Sequence, residues 1–126
     1  MIIKQNRETF GLRYAIAYYM SKGYVVLLPI NDTQPYDLCV DKNDNKGIQK
    51  VSIKTCRFKR NQYFNVSIDN TGGSSGKTRI KIFNKDAADI LFVYTISNEA
   101  WEIPTNIITK KHEITLNKNF IDYKIL

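Results

Sequence analysis

A carboxylate, a hydroxyl and an ammonium group occupy positions from which they can meet across two neighbouring strands. Asp37 follows Pro35-Tyr36 near the start of one predicted strand. Ser52 and Lys54 lie two residues apart on the next strand and therefore project to the same face. If a hairpin through Gly47 pairs the two strands, Asp37 approaches Ser52 and Lys54. A carboxylate beside a lysine on a sheet surface is ordinarily an ion pair, and a functional site is the alternative interpretation.

The segment Thr71-Gly72-Gly73-Ser74-Ser75-Gly76-Lys77-Thr78 nearly matches a phosphate-binding P-loop. That motif requires a following helix, whose N-terminus directs backbone N–H groups at the phosphates. Residues 79–83 instead alternate with the two-residue period of a strand. We therefore expect a basic loop near a nucleic-acid backbone rather than nucleotide hydrolysis.

The remaining polar and aromatic candidates have structural interpretations. His112 stands in a polar stretch between Lys111 and Glu113 and is expected at the surface. Asp86 and Asp89 precede an apolar run, where turn or helix-start chemistry accounts for both. Core packing accounts for most of the large aromatic residues in apolar runs, namely Trp101, Tyr14, Tyr18 and Tyr19.

The order of the elements predicts one α+β domain over residues 1–126. A dense apolar pattern over 8–22 predicts a helix that ends at Lys22-Gly23. Two-residue alternation and apolar runs then predict strands, which give a largely antiparallel sheet. Pro104 is expected to end an edge strand, and a short helix is expected after it. The predicted strands cover 24–28, 36–41, 48–58, 63–68, 79–83, 90–94 and 101–104.

Composition places the chain among ordinary globular proteins. It has 126 residues, of which 43% are hydrophobic and 25% charged. No apolar run approaches the roughly 20 residues that cross a bilayer. Cys39 and Cys56 lie in apolar runs and are expected to be buried, reduced thiols, which favours the cytoplasm. One His and two Cys make a zinc site of protein ligands improbable.

Positive charge is concentrated in the middle of the chain. The formal net charge is +7, yet residues 45–85 alone carry ten basic residues against the single acid Asp69. A concentrated basic face is typical of proteins that bind polyanions, whereas a solvated charged surface is the plain alternative. The residues expected to contact nucleic acid are Lys50, Arg57, Lys59, Arg60, Lys77, Arg79 and Lys81.

The order of these pieces resembles the PD-(D/E)xK nuclease superfamily. The helix, Gly23-Tyr24, Tyr36-Asp37-Leu38 and the strand Val51-Ser52-Ile53-Lys54-Thr55 carry the likeness. It is closest to the small homing endonucleases of group I introns and looser to archaeal Holliday-junction resolvases. Asp89 to Tyr94 and Ile103-Pro104 extend it over about residues 8–108.

The resemblance implies a restriction-endonuclease-like core, a mixed sheet with the N-terminal helix packed on it. It also implies divalent-metal-dependent DNA cleavage, with Mg²⁺ held by Asp37, Glu8 and the carbonyl of Ile53. Lys54 would activate or orient the attacking water, and Ser52 would occupy the position usually taken by an acid or glutamine. Homo-oligomers, dimers or tetramers, are expected by the same resemblance.

Ser52 is the departure from the family pattern, because a hydroxyl is a weaker Mg²⁺ ligand than a carboxylate. Two other functions therefore stand beside the nuclease. One is a catalytically silent nucleic-acid-binding module on the same scaffold, and the other is a protein-interaction or inhibitor subunit.

Overall fold

The structure is a computed structural model that describes residues 7–31, 33–72, 79–81 and 83–126, with the backbone alone for 7–9, 70–72 and 79–81. One α-helix, α1 (Arg7–Ser21), begins the described chain. Ten strands and two short 3-10 helices, Thr105–Ile107 and Lys118–Tyr123, follow it. The strands are β1 (Val25–Leu27), β2 (Leu38–Asp41), β3 (Ile48–Cys56), β4 (Lys59–Arg60), β5 (Tyr63–Ser67), β6 (Asn70–Gly72), β7 (Arg79–Lys81), β8 (Ile90–Thr95), β9 (Ala100–Pro104) and β10 (Glu113–Thr115).

A five-stranded mixed sheet, with the order β1-β2-β3-β8-β9, forms the centre of the fold. Its neighbours are antiparallel except for β3 and β8, which run parallel with Val51 opposite Ile90. Asp89 starts this parallel pairing, because its carboxylate accepts the Lys50 N–H at 2.8 Å. The prediction of a mixed sheet with an N-terminal helix on it is therefore confirmed.

The sheet carries a hydrophobic core on each face. Helix α1 covers one face, where Ala15 and Tyr19 pack on Val51, Ile53 and other apolar side chains. A three-stranded sheet of order β10-β5-β4 lies over the other face. The core on this second side includes Trp101, Leu91 and Phe64. The expected core role of the aromatic residues is thus confirmed for Trp101 and for Tyr14, Tyr18 and Tyr19, which belong to or pack on these cores.

Two glycines determine how α1 is placed. Gly23 has φ +78° and continues the chain from the helix end into β1, as expected of a glycine that ends a helix. Gly11 lies directly against β3, where an added Cβ would fall 2.6 Å from Thr55 Oγ1 and 3.0 Å from Ile53 Cγ2. The absence of a side chain at Gly11 therefore allows α1 to contact β3 closely at Ile53 and Thr55.

The C-terminal region contains elements that its sequence pattern does not predict. Strand β10 pairs with β5, with Ile114 opposite Val66. The 3-10 helix after Pro104 matches the expected short helix, and the second one brings Lys124 to Trp101. Within the residues that the structure describes, none of the helices has the length and apolar character needed to cross a membrane.

Candidate active site

The β2–β3 hairpin brings Asp37 to the middle of β3. The two strands are antiparallel, and Leu38 lies opposite Val51. Asp37, the residue before Leu38, therefore lies beside Ser52, and its N–H donates to the Val51 carbonyl at 2.8 Å. Cα atoms of opposed residues in such a pair are about 4.5–5.5 Å apart, and Lys54 is about 7 Å further along the strand.

The Asp37 carboxylate is fixed by the backbone of β3. Its Oδ2 accepts the Ile53 N–H at 2.6 Å. In a strand the N–H and C=O of one residue point to the same side, so the Ile53 carbonyl also points toward Asp37. A carboxylate oxygen and a carbonyl oxygen thus face the same space at the edge of β3.

Ser52 and Lys54 project to the face of the sheet opposite α1. Val51 and Ile53 are buried in the core beneath the helix, and strand alternation places Ser52 and Lys54 on the other side. Both are partly buried, whereas Asp37 is exposed. Asp37 directly precedes β2, and its carboxylate lies at the edge of β3, where it accepts the Ile53 N–H.

Lys50 and Tyr36 flank this group. The Lys50 Nζ lies 5.5 Å from the centroid of the Tyr36 ring, within range of a cation–π contact. Cys39 lies opposite Lys50 on β2. Burial raises the pKa of the Cys39 thiol, an effect that Lys50 and Tyr36 partly oppose. The neutral thiol is therefore favoured, and a Cys39 thiolate nucleophile is not indicated.

Not every predicted metal ligand can be located. Glu8 lies in the first turn of α1, but its side chain is outside the described residues. Among the side chains that are described, no group of three His, Cys, Asp or Glu residues could hold a metal ion. Of the predicted ligands, Asp37 and the Ile53 carbonyl lie within the described residues.

The predicted nucleic-acid contacts are partly described. Lys50, Arg57, Lys59 and Arg60 are exposed. Arg60 lies 3.7 Å from the Glu113 carboxylate, a solvent-exposed pair, and Lys59 Nζ lies 4.9 Å from the Phe64 ring centroid. Lys77 lies outside the described residues, and the side chains of Arg79 and Lys81 do as well.

The other sequence candidates have structural positions. The near P-loop leads into β7, a strand paired with β6, so the expected strand is confirmed for 79–81. Residues 73–78 lie outside the described part. His112 is exposed, as expected, with its Nδ1 3.3 Å from an Asp69 carboxylate oxygen. Cys56 is buried, whereas Cys39 is only partly buried, which corrects the expectation of two buried thiols.

A cavity of about 550 Å³ opens beside Asp37. Leu12 of α1 lines one side, and the β1–β2 loop lines the rest with residues of both polarities. From the sequence pattern, these loop residues were expected only as the end of a strand and a turn. Leu28 ends the predicted strand 24–28, whereas the structure ends β1 at Leu27; both Leu28 and Ile30 are exposed. The loop residues that line the cavity are Leu28, Pro29, Ile30, Asn31, Gln34 and Tyr36.

Comparison with solved structures defines the class of fold. A bacterial homing endonuclease, I-Ssp6803I, superposes with a TM-score of 0.77 over 94% of this chain and 86% of that chain, at 19% sequence identity. The mixed five-stranded sheet with one helix on it is therefore a restriction-endonuclease-like fold.

Comparison with protein families gives the membership. The model of the PD-(D/E)XK endonuclease family matches residues 5–120. The chain therefore belongs to the PD-(D/E)XK endonuclease family, as the sequence resemblance implied. No curated protein matches the sequence.

Proposed function

We propose that this chain is a Mg²⁺-dependent endonuclease that hydrolyses phosphodiester bonds in DNA. The observation that carries the proposal is the Asp37 carboxylate bound to the Ile53 N–H, one residue before Lys54, in a chain of the PD-(D/E)XK endonuclease family. Nuclease chemistry follows from the family, and the metal, the DNA substrate and the roles of individual residues are the proposed part.

The oxygen donors beside β3 fit a hard divalent cation. Mg²⁺ binds oxygen ligands and is typically held by one or two carboxylates, together with water and substrate phosphate. Asp37 and the Ile53 carbonyl would hold it, and Glu8 is the further candidate on α1. When bound, the metal polarises the phosphoryl oxygens and makes water acidic enough to attack near neutral pH.

Lys54 supplies the positive charge of the site. It lies two residues beyond Ser52 on the same face of β3, and one residue beyond Ile53, whose N–H binds the Asp37 carboxylate. An ammonium group held there stabilises the negative charge that develops on the phosphoryl oxygens during attack. Its side chain is partly buried, and a lower local dielectric strengthens that effect.

Ser52 supports one alternative, a DNA-binding module without turnover. Ser52 lies beside Asp37 where the family usually has a second acid or glutamine, and a hydroxyl is the weaker ligand. Such a module would retain the basic residues of β3 and β4 but would not cut. The nuclease and the silent module both predict affinity for DNA, and only the nuclease predicts cleavage.

Association of two or more copies completes the proposal, because one site cuts one strand at a time. Val25 and Leu27 are exposed apolar residues on the edge strand β1, and Ile48 is exposed at the start of β3. Exposed apolar clusters of this kind are typical of interfaces. Light scattering during gel filtration measures the mass directly, and a monomeric mass would refute the proposed association.

The decisive experiment is metal-dependent nicking of supercoiled plasmid. Wild type is expected to cut with Mg²⁺ and to stop when the metal is chelated. Lys54→Ala should lower the rate by about 10²–10³-fold, the typical cost of removing one charge-stabilising group. Lys110→Ala, which changes an exposed lysine away from β3, is the matched control and should cut normally.

The result also distinguishes the alternative. If neither wild type nor any variant cuts, salt-dependent binding tests the silent module. About four phosphate contacts predict a slope of log affinity against log salt near −3.6. Absence of both cutting and salt-dependent binding would refute the DNA function altogether.

A further inference from the structure

The described residues of the loop between β1 and β2, 28–31 and 33–37, carry local constraints. Pro29 and Pro35 stand near its two ends and fix φ at those positions. Between them the Asn31 Oδ1 accepts hydrogen bonds from Thr33 Oγ1 at 3.1 Å and Gln34 Nε2 at 3.3 Å. These contacts restrict the side chains of Asn31, Thr33 and Gln34, which lowers the ordering cost of binding there.

This loop exposes apolar side chains beside the proposed catalytic group. Ile30 has a relative accessibility of 106% and Leu28 of 57%. Both residues line the cavity that also contains Asp37. A ligand that occupies this cavity beside Asp37 would therefore contact Leu28 and Ile30.

We infer that the β1–β2 loop is an apolar wedge that enters duplex DNA at the scissile step, with Ile30 as its tip. The inference rests on the proposed DNA cleavage. Proteins that insert Ile, Leu, Phe, Met or Pro between base pairs partly unstack one step and bend the duplex. Bending at the cut site would bring the phosphate toward Asp37, which lines the same cavity as Ile30.

The charges around the loop favour DNA over a second copy of the chain at this place. Lys50 lies beside Tyr36 at the end of the loop, and Lys54 follows on the same strand face. Cations on β3, beside the end of the loop, suit a polyanion such as the DNA backbone.

The test uses DNA in which unstacking costs less. The Lys54→Ala protein, which retains the loop, is bound to a short duplex taken from a position that wild type cuts. It is also bound to the same duplex with one abasic site at the cut step. If the wedge unstacks that step, the abasic duplex should bind about tenfold more tightly, since unstacking costs a few kcal/mol per step.

The Ile30→Ala substitution, added to Lys54→Ala, should abolish that preference while leaving salt-dependent binding to the intact duplex. Because Ile30 is fully exposed, the change removes no core contact. Ile121→Ala is the matched control, since Ile121 is an exposed isoleucine on the second 3-10 helix. It should retain the preference for the abasic duplex.

Three results would overturn the wedge. The first is equal affinity of the Lys54→Ala protein for both duplexes, and the second is an unchanged preference after Ile30→Ala. The third is a lower mass of the Ile30→Ala protein in light scattering, which would assign the tip to a contact between copies. If the Lys54→Ala protein binds neither duplex, the proposed DNA function fails as well, whereas in the first three cases it stands.

Discussion

Replacement of Gly11 by alanine tests the packing of α1 on the strand that carries Lys54. The new Cβ would lie 2.6 Å from Thr55 Oγ1 and 3.0 Å from Ile53 Cγ2, whereas ordinary contact begins at 3.4 Å. Either the helix or β3 must move. Overpacking of this kind costs about 1–3 kcal/mol.

Helix propensity acts in the opposite direction. Alanine is better than glycine in a helix interior by about 1 kcal/mol. The net expectation for Gly11→Ala is destabilisation by about 1 kcal/mol, which lowers Tm by roughly 3–6 °C for a domain of this size. Urea unfolding at neutral pH measures the free energy, and plasmid nicking measures whether β3 has moved near Lys54.

Two controls isolate the cause. Ala17 is exposed on α1, so Ala17→Gly reports helix propensity without a clash. Thr55→Ala removes the closest atom, and the double variant with Gly11→Ala should recover about 1 kcal/mol as coupling. A Gly11→Ala protein that is more stable than wild type, or a cycle with no coupling, would refute the close contact between α1 and β3.

Two further predictions concern charge. Ser52→Glu adds a carboxylate beside Asp37 and should tighten Mg²⁺ binding by on the order of tenfold, measured by calorimetry. The control Gln62→Glu, in an exposed turn, should leave the Mg²⁺ affinity unchanged. Equal affinities of the two variants would count against the proposed position of the site. Lys124, with help from Ser97, holds the pKa of the Glu99 carboxyl below its usual range, so the stabilisation exists above the unfolded pKa and is lost as pH falls through the lower folded value. Glu99→Gln should therefore be less stable than wild type near neutral pH by under about 1 kcal/mol, and urea melts of the two proteins should converge at low pH; a constant difference would contradict this.

Local signals were sufficient to predict α1 and the β2–β3 hairpin. The helix ends where Gly23 takes a positive φ, and Gly47 takes φ +69° at the end of the hairpin turn. Both are conformations that glycine adopts without a steric cost. The pairing of β3 with β8 and of β5 with β10 depends on residues far apart in the chain. In β10 only Ile114 is buried, so three residues carry too little pattern to predict a strand.

At the site, alternation and the hairpin were sufficient to bring Asp37 beside Ser52. The hydrogen bond from Ile53 to Asp37 could not be predicted, because it depends on where β2 begins. The sequence pattern started this strand at Tyr36, whereas the structure starts it at Leu38. Asp37 therefore precedes the strand, and its carboxylate accepts a hydrogen bond from the Ile53 N–H.

The parallel pairing of β3 with β8 has a consequence for the newly made chain. Asp37 and Lys54 belong to one short stretch of the chain. Strand β3, however, lies between β2 and β8 in the sheet. Its contact with the start of β8 joins Lys50 to Asp89, which is 39 residues later in the chain. Long-range pairs of this kind are late events in folding because the intervening loop must close first. During synthesis, a ribosome-bound fragment that ends before β8 contains Asp37 and Lys54 but lacks the strand that supports β3 on its second side. Any activity of the proposed site is therefore expected only after β8 has emerged.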